Sequence, residues 1–384
     1  MVTKLKVLLL EPFHSGSHQA WAEGLIKHTR HEISLISHPG SFWRWRVRGS
    51  ALTMAEKTQE IVNEKGKPDI VLASGMIDLA AWLGFTKRFI GDPPVVLYQH
   101  ENQLTYPVSS GQSPDNSMKF VNWKNMAIAD QIWFNSNFHK ESLIEALPEF
   151  LKNVPDMSHF HHLEQVIDKM HVVPVGVELS EIASSDSVEK PPLVLWNHRW
   201  EYDKNPEAFI ASLIKLDEEG IRFNFAVTGE NSPEDSEAIK SQFGKLSEFL
   251  VSSGYLPRSE YISLLSKTDV VVSSSMHEFF GISIVEALSA GAIPVLPKRL
   301  SYPEIVPEQW HDFVFYPNEG MTDRLREVLD DLENWKKNVA GLREAMRRFD
   351  WVNVIKFYDD KLEEIFIEDL SEHEVKKRLS KLAD

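Results

Sequence analysis

Asp269-Val-Val-Val-Ser-Ser-Ser-Met-His-Glu278-Phe-Phe-Gly281-Ile-Ser-Ile-Val-Glu286-Ala-Leu-Ser-Ala-Gly291-Ala-Ile-Pro-Val295 is the stretch that reveals the fold. An apolar run, a polar loop, an apolar segment bounded by two glycines and a second apolar run read as strand, loop, helix and strand. Gly291 stands where glycine closes a helix, with Pro294 beyond it. Such a unit implies parallel strands and a right-handed crossover. Gly281 marks the helix start, where backbone N–H groups and the helix dipole favour an anion such as a diphosphate. Glu278 and Glu286, eight residues apart, stand about two turns apart on similar faces. A carboxylate accepts hydrogen bonds from both hydroxyls of a sugar diol, so the pair suits a ribose at one end and a hexose at the other. Taken alone, the two acids read equally well as support for a helix start and a solvated face.

The same alternation extends in both directions. Val7–Leu10, Ile33–Ile36, Ile70–Ala73, Val95–Tyr98, Gln131–Phe134 and Val172–Val175 read as short buried strands. Ala20–Lys27, Ala51–Lys65 and His139–Leu147 carry helical spacing between them. The polar, serine-rich residues 178–192, ending in a Pro pair, read as a linker. Beyond it Leu193–Trp196, Phe223–Val227, Phe249–Ser252, Val270–Ser273 and Ile293–Leu296 form a second series, and from Thr322 the chain reads as mostly helical. The expected domains are 1–178, a linker 179–192, and 193–351, with a helix at about 352–370 returning to the first domain. Ligands of doubly wound sheets bind at the carboxyl ends of the strands, so loops after strands are where chemistry is expected.

Leu193-Val-Leu-Trp-Asn-His-Arg199-Trp-Glu-Tyr-Asp-Lys204-Asn-Pro-Glu207 sets a cation on each side of a turn leading into a helix. Arg199 and Lys204 from one loop suit the charge that develops on a departing diphosphate. Without the Glu278–Glu286 segment they read as surface cations.

The 384 residues suffice for two ordinary domains, and 42% hydrophobic with 26% charged residues is a globular composition. No run approaches the about 18 apolar residues of a membrane span, and the four-residue run before Glu11 is a strand rather than a signal-peptide core. The expectation is a cytoplasmic protein without membrane partners. With no cysteine, disulfides and thiolate metal sites are excluded. The net charge of −16 opposes indiscriminate nucleic-acid binding. Residues 1–175, however, balance 17 Lys and Arg against 18 Asp and Glu and hold 11 of the 15 histidines. A polyanion, if bound, belongs on that half.

The segments around Arg199, Lys204, Glu278 and Glu286 resemble the retaining glycosyltransferases of family four. Glu278, Phe279, Phe280, Gly281, Ile282 and Glu286 cover its Glu-x7-Glu motif, and Arg199 and Lys204 its diphosphate-binding cations. Gly229, the Gly254-Tyr255-Leu256-Pro257 run and Ser275 match further landmarks. Phe349-Asp350-Trp351 matches the approach to that family's last helix, Gly16 and Ser17 its loop after the first strand, and His100 a strand-end histidine that contacts the donor sugar. A closer resemblance, over nearly the whole chain, is to the tRNA-queuosine α-mannosyltransferase family. It rests on Glu11-Pro-Phe-His-Ser-Gly-Ser-His18, Trp43-Arg-Trp-Arg-Val-Arg48, Tyr98-Gln-His-Glu-Asn-Gln-Leu-Thr-Tyr-Pro107, Asn197–Lys204, His277–Gly281 and Tyr302-Pro-Glu-Ile305. The resemblance implies an α/β GT-B fold, two Rossmann-like domains facing each other across a cleft. It further implies GDP-mannose as donor, queuosine in a tRNA anticodon loop as acceptor, and retention of configuration without a metal or other cofactor. Glu278, His100, Arg199 and Lys204 are then the expected catalytic residues. The donor would be held by Gly16, Ser17, Gly229, Tyr255, Leu256, Ser275, Phe279, Phe280, Gly281, Ile282 and Glu286 as well as by Arg199, Lys204 and Glu278.

Trp43, Arg44, Trp45, Arg46 and Arg48 interleave rings with guanidinium groups, which suits an unstacked RNA loop. An amphipathic strand with tryptophans inward fits the pattern equally. Glu101 and Asn102 follow His100 in a polar run after a buried strand and are also expected at the acceptor. His159, His161 and His162 lack a definite fourth ligand and read as a solvated loop rather than a metal site. Two alternatives remain from residues alone: a family-four enzyme with another nucleotide sugar and a saccharide, lipid or small-molecule acceptor, and a non-catalytic RNA- or nucleotide-binding relative.

Overall fold

The computed structural model describes residues 4–107, 115–183, 191–229, 243–317 and 319–383. Contacts divide the chain into two compact units. One comprises the residues up to Gly176 together with those from Trp351 on; the other is Val177–Asp350. Residues 184–190 of the expected linker lie outside the described residues.

The first unit is built on β1 (Lys6–His14), β2 (Glu32–Pro39), β3 (Ile70–Ser74), β4 (Val95–Gln99), β5 (Gln131–Phe134) and β6 (Met170–Val172). They pair in parallel in the order β2-β1-β3-β4-β5-β6. Every residue of β3 and β4 is buried, as a parallel sheet covered on both faces requires. Between strands run the helices Gly16–His28, Trp43–Lys65, Leu79–Ile90, Asn116–Ile128 and Asn137–Lys152. The strand order reverses between β1 and β3, so the chain connections part there and leave a crevice at the carboxyl ends.

The helix Trp351–Ala383 belongs to this unit and is fixed to it by buried side chains. Trp21 Nε1 donates to Tyr358 Oη at 3.0 Å, and Tyr358 in turn donates to the Pro174 carbonyl at 3.0 Å. Asp359 accepts from the Arg30 backbone N–H and from Thr29, while Arg30 reaches Asp360 and Glu363 at 3.0 and 2.8 Å. The Trp351 indole fills the space above two glycines: a Cβ on Gly24 would lie 2.0 Å from Trp351 Nε1, and one on Gly176 would lie 2.3 Å from its Cδ2.

The second unit carries β7 (Leu193–Trp196), β8 (Asn224–Thr228), β9 (Leu250–Gly254), β10 (Val270–Val272), β11 (Ile293–Pro297) and β12 (Phe315–Tyr316), again all parallel. The order is β12-β11-β10-β7-β8-β9, with the reversal between β7 and β10. The helix Ile282–Ala290 starts on Gly281 at φ +103° and stops on Gly291 at φ +98°, so both glycines occupy left-handed positions that other residues resist. Where the chain enters and leaves the unit its two segments lie side by side, Val177 N–H bonding the Phe349 carbonyl at 2.7 Å.

Trp43–Arg48, Val172–Val175 and Phe315–Tyr316 depart from the sequence reading. Trp43–Arg48 is not a strand but the first turns of the 23-residue helix Trp43–Lys65, because Val47, Ser50, Ala51, Met54 and Ala55 give it a buried face at helical spacing. β6 stops at Val172, leaving Val173–Val175 as a crossing segment, and the two-residue β12 is too short to read from pattern. His159–His162 form an exposed turn of 3₁₀ helix, with His159 Nδ1 accepting from Trp123 Nε1 at 2.8 Å. No helix among the described residues is long and apolar enough to cross a membrane.

The packing of Trp351 on Gly24 sets an expectation. Gly24→Val displaces that indole, and overpacking of this kind costs ~1–3 kcal/mol. The thermal midpoint of the first unit should fall by about 2–4 °C per kcal/mol, as read by calorimetry; an unchanged midpoint would show the contact to be immaterial.

Candidate functional site

In the second unit the loops after β7 and β10 flank the strand-order reversal and are bonded to each other. Lys204 ends a short 3₁₀ turn, Tyr202–Lys204, and the left-handed Asn205 then starts the helix Pro206–Glu218. The Lys204 side chain runs inward. Its Nζ, in a side chain only 9% exposed, donates to the His277 carbonyl at 2.6 Å and to Glu278 Oε2 at 3.2 Å, with Asp203 Oδ2 at 3.4 Å. The backbones are joined as well: Ser274 Oγ donates to the Lys204 carbonyl at 2.7 Å, and the Met276 N–H to the Asp203 carbonyl at 2.7 Å. Burial alone would raise the Glu278 carboxyl, but the Lys204 ammonium and its hydrogen bond hold it below its ordinary value. Burial, then Lys204, drives the His198 imidazole down to about 3 and His277 down to about 4, so both are neutral at pH 7.

Arg199, on the same loop, is half-exposed and pairs with Glu201 at 3.2 Å; its charge also reaches His277. Glu286 is buried one helical stretch further on. Burial raises its carboxyl, and an ion pair with Arg258 opposes that rise. Asn197 ties this region to the β7 loop, donating to the Ser283 carbonyl at 2.8 Å and to Tyr261 Oη at 3.1 Å. Gly229 is obligatory for the approach of the loops: a Cβ there would lie 2.2 Å from the His198 carbonyl oxygen.

The structure therefore brings Lys204, Glu278 and the Gly281 helix start together, with Arg199 and Glu286 joined through neighbouring groups. Ser275 is fully buried and bonded to Ser273, and Phe279 and Phe280 point inward, Phe280 edge-on to Phe349. What these three offer a ligand is backbone. Ile282 is half-buried in the first helical turn. Tyr255, 69% exposed, and half-buried Leu256 follow β9. Arg258, Tyr261, His198, His277 and Asp203 were not singled out from sequence. Arg258 lies one residue past the Gly254–Pro257 landmark, but an arginine at a helix start reads as solvated.

In the first unit the β1 loop places exposed Gly16, at φ +50°, and exposed Ser17 at the start of the helix Gly16–His28. Beneath them Glu11 is wholly buried, accepting from His18 Nδ1 at 3.1 Å and from the Phe13 N–H at 3.0 Å. The His18 ring lies 4.2 Å from that of His100, at the end of β4. Burial, followed by His18 and His139, lowers the His100 imidazole well below its ordinary value, and its Nε2 is buried without a hydrogen-bond partner. Glu11, His18 and His100 offer ligand atoms within 4.8 Å of one another, a donor set that suits a divalent cation. Neither Glu11 nor His18 was placed at the site from sequence. Glu101 is half-buried, whereas Asn102 is buried and bonded within its own turn, accepting from the Leu104 and Thr105 N–H groups at 3.0 and 2.9 Å. Trp43 is half-buried, Arg44 lies over its ring at 5.2 Å, Trp45 is exposed, Arg46 half-buried, and Arg48 pairs with Asp115.

Comparison with known proteins accounts for both units. Residues 6–177 match the model of the tRNA-queuosine alpha-mannosyltransferase N-terminal family, and residues 178–347 that of glycosyl transferases group 1. The tRNA-queuosine alpha-mannosyltransferase of Drosophila melanogaster is 34% identical over 317 residues, covering 80% of this chain and 83% of that protein. Sucrose-phosphate synthase from Thermosynechococcus elongatus superposes over 95% of this chain and 100% of its own, with TM-score 0.72 at 14% identity. A glycosyltransferase from Rickettsia africae covers 95% of this chain and 99% of its own, at TM-score 0.71 and 18% identity. The fold is α/β and of the two-domain GT-B type.

The lowered imidazoles give a pH dependence. A histidine whose folded value is depressed binds its proton more readily in the unfolded chain, so stability is lost as pH falls. His277, at about 4, and His198, at about 3, should each cost up to about 1.4 kcal/mol per pH unit below the unfolded value of 6.5, and His100 acts in the same direction. Urea unfolding at pH 7, 6 and 5 should give falling midpoints, less steeply in His277→Gln.

Proposed function

The chain belongs to the tRNA-queuosine alpha-mannosyltransferase family, and from that premise we propose that it moves mannose from GDP-mannose to queuosine in a tRNA anticodon loop, with retention of configuration. That it is a glycosyltransferase follows from the family itself. The observation that carries the finer reading is the bonded junction of the β7 and β10 loops, where the buried Lys204 ammonium and the ionised Glu278 meet beside the amino end of the helix Ile282–Ala290.

Cleaving the bond between the anomeric carbon and the phosphate oxygen leaves its electron pair on GDP. Lys204, Arg199 and the N–H groups that begin the helix oppose that charge. The acceptor hydroxyl attacks from the face the diphosphate leaves, and a phosphate oxygen takes its proton, so no protein base is required. Glu278, held ionised, accepts hydrogen bonds from sugar hydroxyls rather than giving up a proton. Glu286 grips the ribose beside its ion pair with Arg258. Gly16, Ser17, His100, Gly229, Tyr255 and Leu256 keep, as proposals, the donor contacts that the family resemblance implies. A tRNA acceptor also puts the enzyme in the cytoplasm.

Incubating queuosine-containing tRNA with the protein and GDP-mannose, then weighing the digested nucleosides, should reveal queuosine heavier by one hexose. Lys204→Met should lower that product by about 10²–10³-fold, the cost of removing one group that stabilises transition-state charge. Unmodified queuosine alongside GDP release with a saccharide would move the assignment to another acceptor.

We also read the reaction as metal-independent, because fixed cations stand where a divalent ion would otherwise neutralise the diphosphate. A chelator should leave donor hydrolysis, an assay without RNA, within twofold of its untreated rate. A collapse restored by zinc or manganese would direct attention to Glu11, His18 and His100.

A further inference from the structure

We propose that the opening turns of the helix Trp43–Lys65 form an RNA-docking face on which Trp45 stacks with one unpaired base beside the modified nucleotide. This rests on tRNA being the acceptor and says which surface holds it. Trp45 is 63% exposed, yet it is not loose. Its benzo ring lies against Gly49, one turn along the helix, and a Cβ at that position would stand 2.6 Å from Trp45 Cζ2. Glycine in mid-helix lowers helix stability, and here it admits a large ring that the core does not need. A ring backed by the helix and open on its other side is a stacking surface, and any base has a face to lay on it.

Phe42 adds a second ring. It is 78% exposed and takes the left-handed conformation at φ 55°, ψ 47°, before the first helical turn. Its carbonyl accepts from the Trp45 and Arg46 N–H groups at 2.8 and 3.0 Å, which fixes the backbone that carries this exposed ring at the helix start. Around these rings positive charge prevails, the acid Asp115 being paired with Arg48. The first turn holds no acid, the helix begins with its partial positive end outward, and Arg44 and Arg46 alternate with the rings. Arg48 bonds Asp115 and Ser117, and the phosphates are assigned to Arg44 and Arg46 on the same turns. In a chain of net charge −16 this local excess is complementary to a polyanion.

The inward side of the same helix turn reaches toward the Glu11–His18–His100 cluster of this unit. Trp43 packs with Phe13 against Val47, Met76, Met118 and Val121. Phe13 meets the His18 ring edge-on at 5.9 Å, and His18 lies against His100. Gly40, just before the helix, abuts Ser15: a Cβ on it would lie 1.9 Å from Ser15 Cβ.

The test is the affinity of the full chain for a fluorescent anticodon stem-loop containing the unpaired loop, measured by anisotropy. Trp45→Ala should weaken binding about 5- to 100-fold, the effect of one lost stack, and Trp45→Phe should recover part of it. Gly49→Ala, which displaces the ring without removing it, should weaken binding in the same direction. Arg44→Gln should lower the slope of log affinity against log salt by about 0.7. If the wild-type chain does not bind the stem-loop, the tRNA reading falls and takes this face with it. If wild type binds and Trp45→Ala binds within twofold as tightly, the face alone falls. Unmoved RNA affinity together with a dimer that Trp45→Ala abolishes would give the face to a second copy of the chain.

Discussion

A buried ammonium needs partners, and the second unit is arranged around giving Lys204 three of them: the His277 carbonyl, the Glu278 carboxylate and Asp203. Removing one side of such a buried pair typically costs ~3–5 kcal/mol, because the other charge is then left in low dielectric. The constraint is geometric as much as energetic. To reach those partners, the turn after β7 must lie under the loop after β10, and the bonds from Ser274 and Met276 hold it there. The same closeness excludes any side chain at Gly229, keeps Glu278 ionised and leaves His198 and His277 neutral.

The first unit meets the same topological situation with different chemistry. A wholly buried Glu11 orients His18, and His18 leans on a neutral His100. Ser74 Oγ and both amide atoms of Gln99, at the ends of β3 and β4, are buried without protein partners, as is His100 Nε2. Native interiors rarely leave polar atoms so, and here they concentrate at the strand ends beside the order reversal, where ligands of doubly wound sheets bind.

Much of this was legible in the sequence because parallel strands buried on both faces appear as continuous apolar runs. Gln131–Phe134 and Leu193–Trp196 coincide with β5 and β7 residue for residue, and Gly281 and Gly291 bracket their helix. What escaped did so for local reasons. Trp43–Arg48 alternates like a strand, and only the helical spacing of Val47, Ala51 and Met54 further on reveals its true period. Arg258 is an ordinary helix-start cation until the buried Glu286, 28 residues away, is seen to claim it. Asn102, polar beside a strand end, gives no sign in the sequence that its side chain also closes its own turn. Glu11 sits inside an apolar strand, and nothing in the pattern says whether such an acid faces out or is buried against a histidine 7 residues later.

The last helix of the first unit is separated from its partners by the entire second unit, with Trp21 and Tyr358 bonded across 337 positions of chain. During synthesis, β1 to β6 therefore emerge long before the segment that covers Trp21 and Tyr98. The second unit, being continuous, can complete its core while the first still shows these rings to the surroundings. On the ribosome, the later-made unit has the opportunity to fold first, and the earlier-made strands wait for the segment that begins at Trp351.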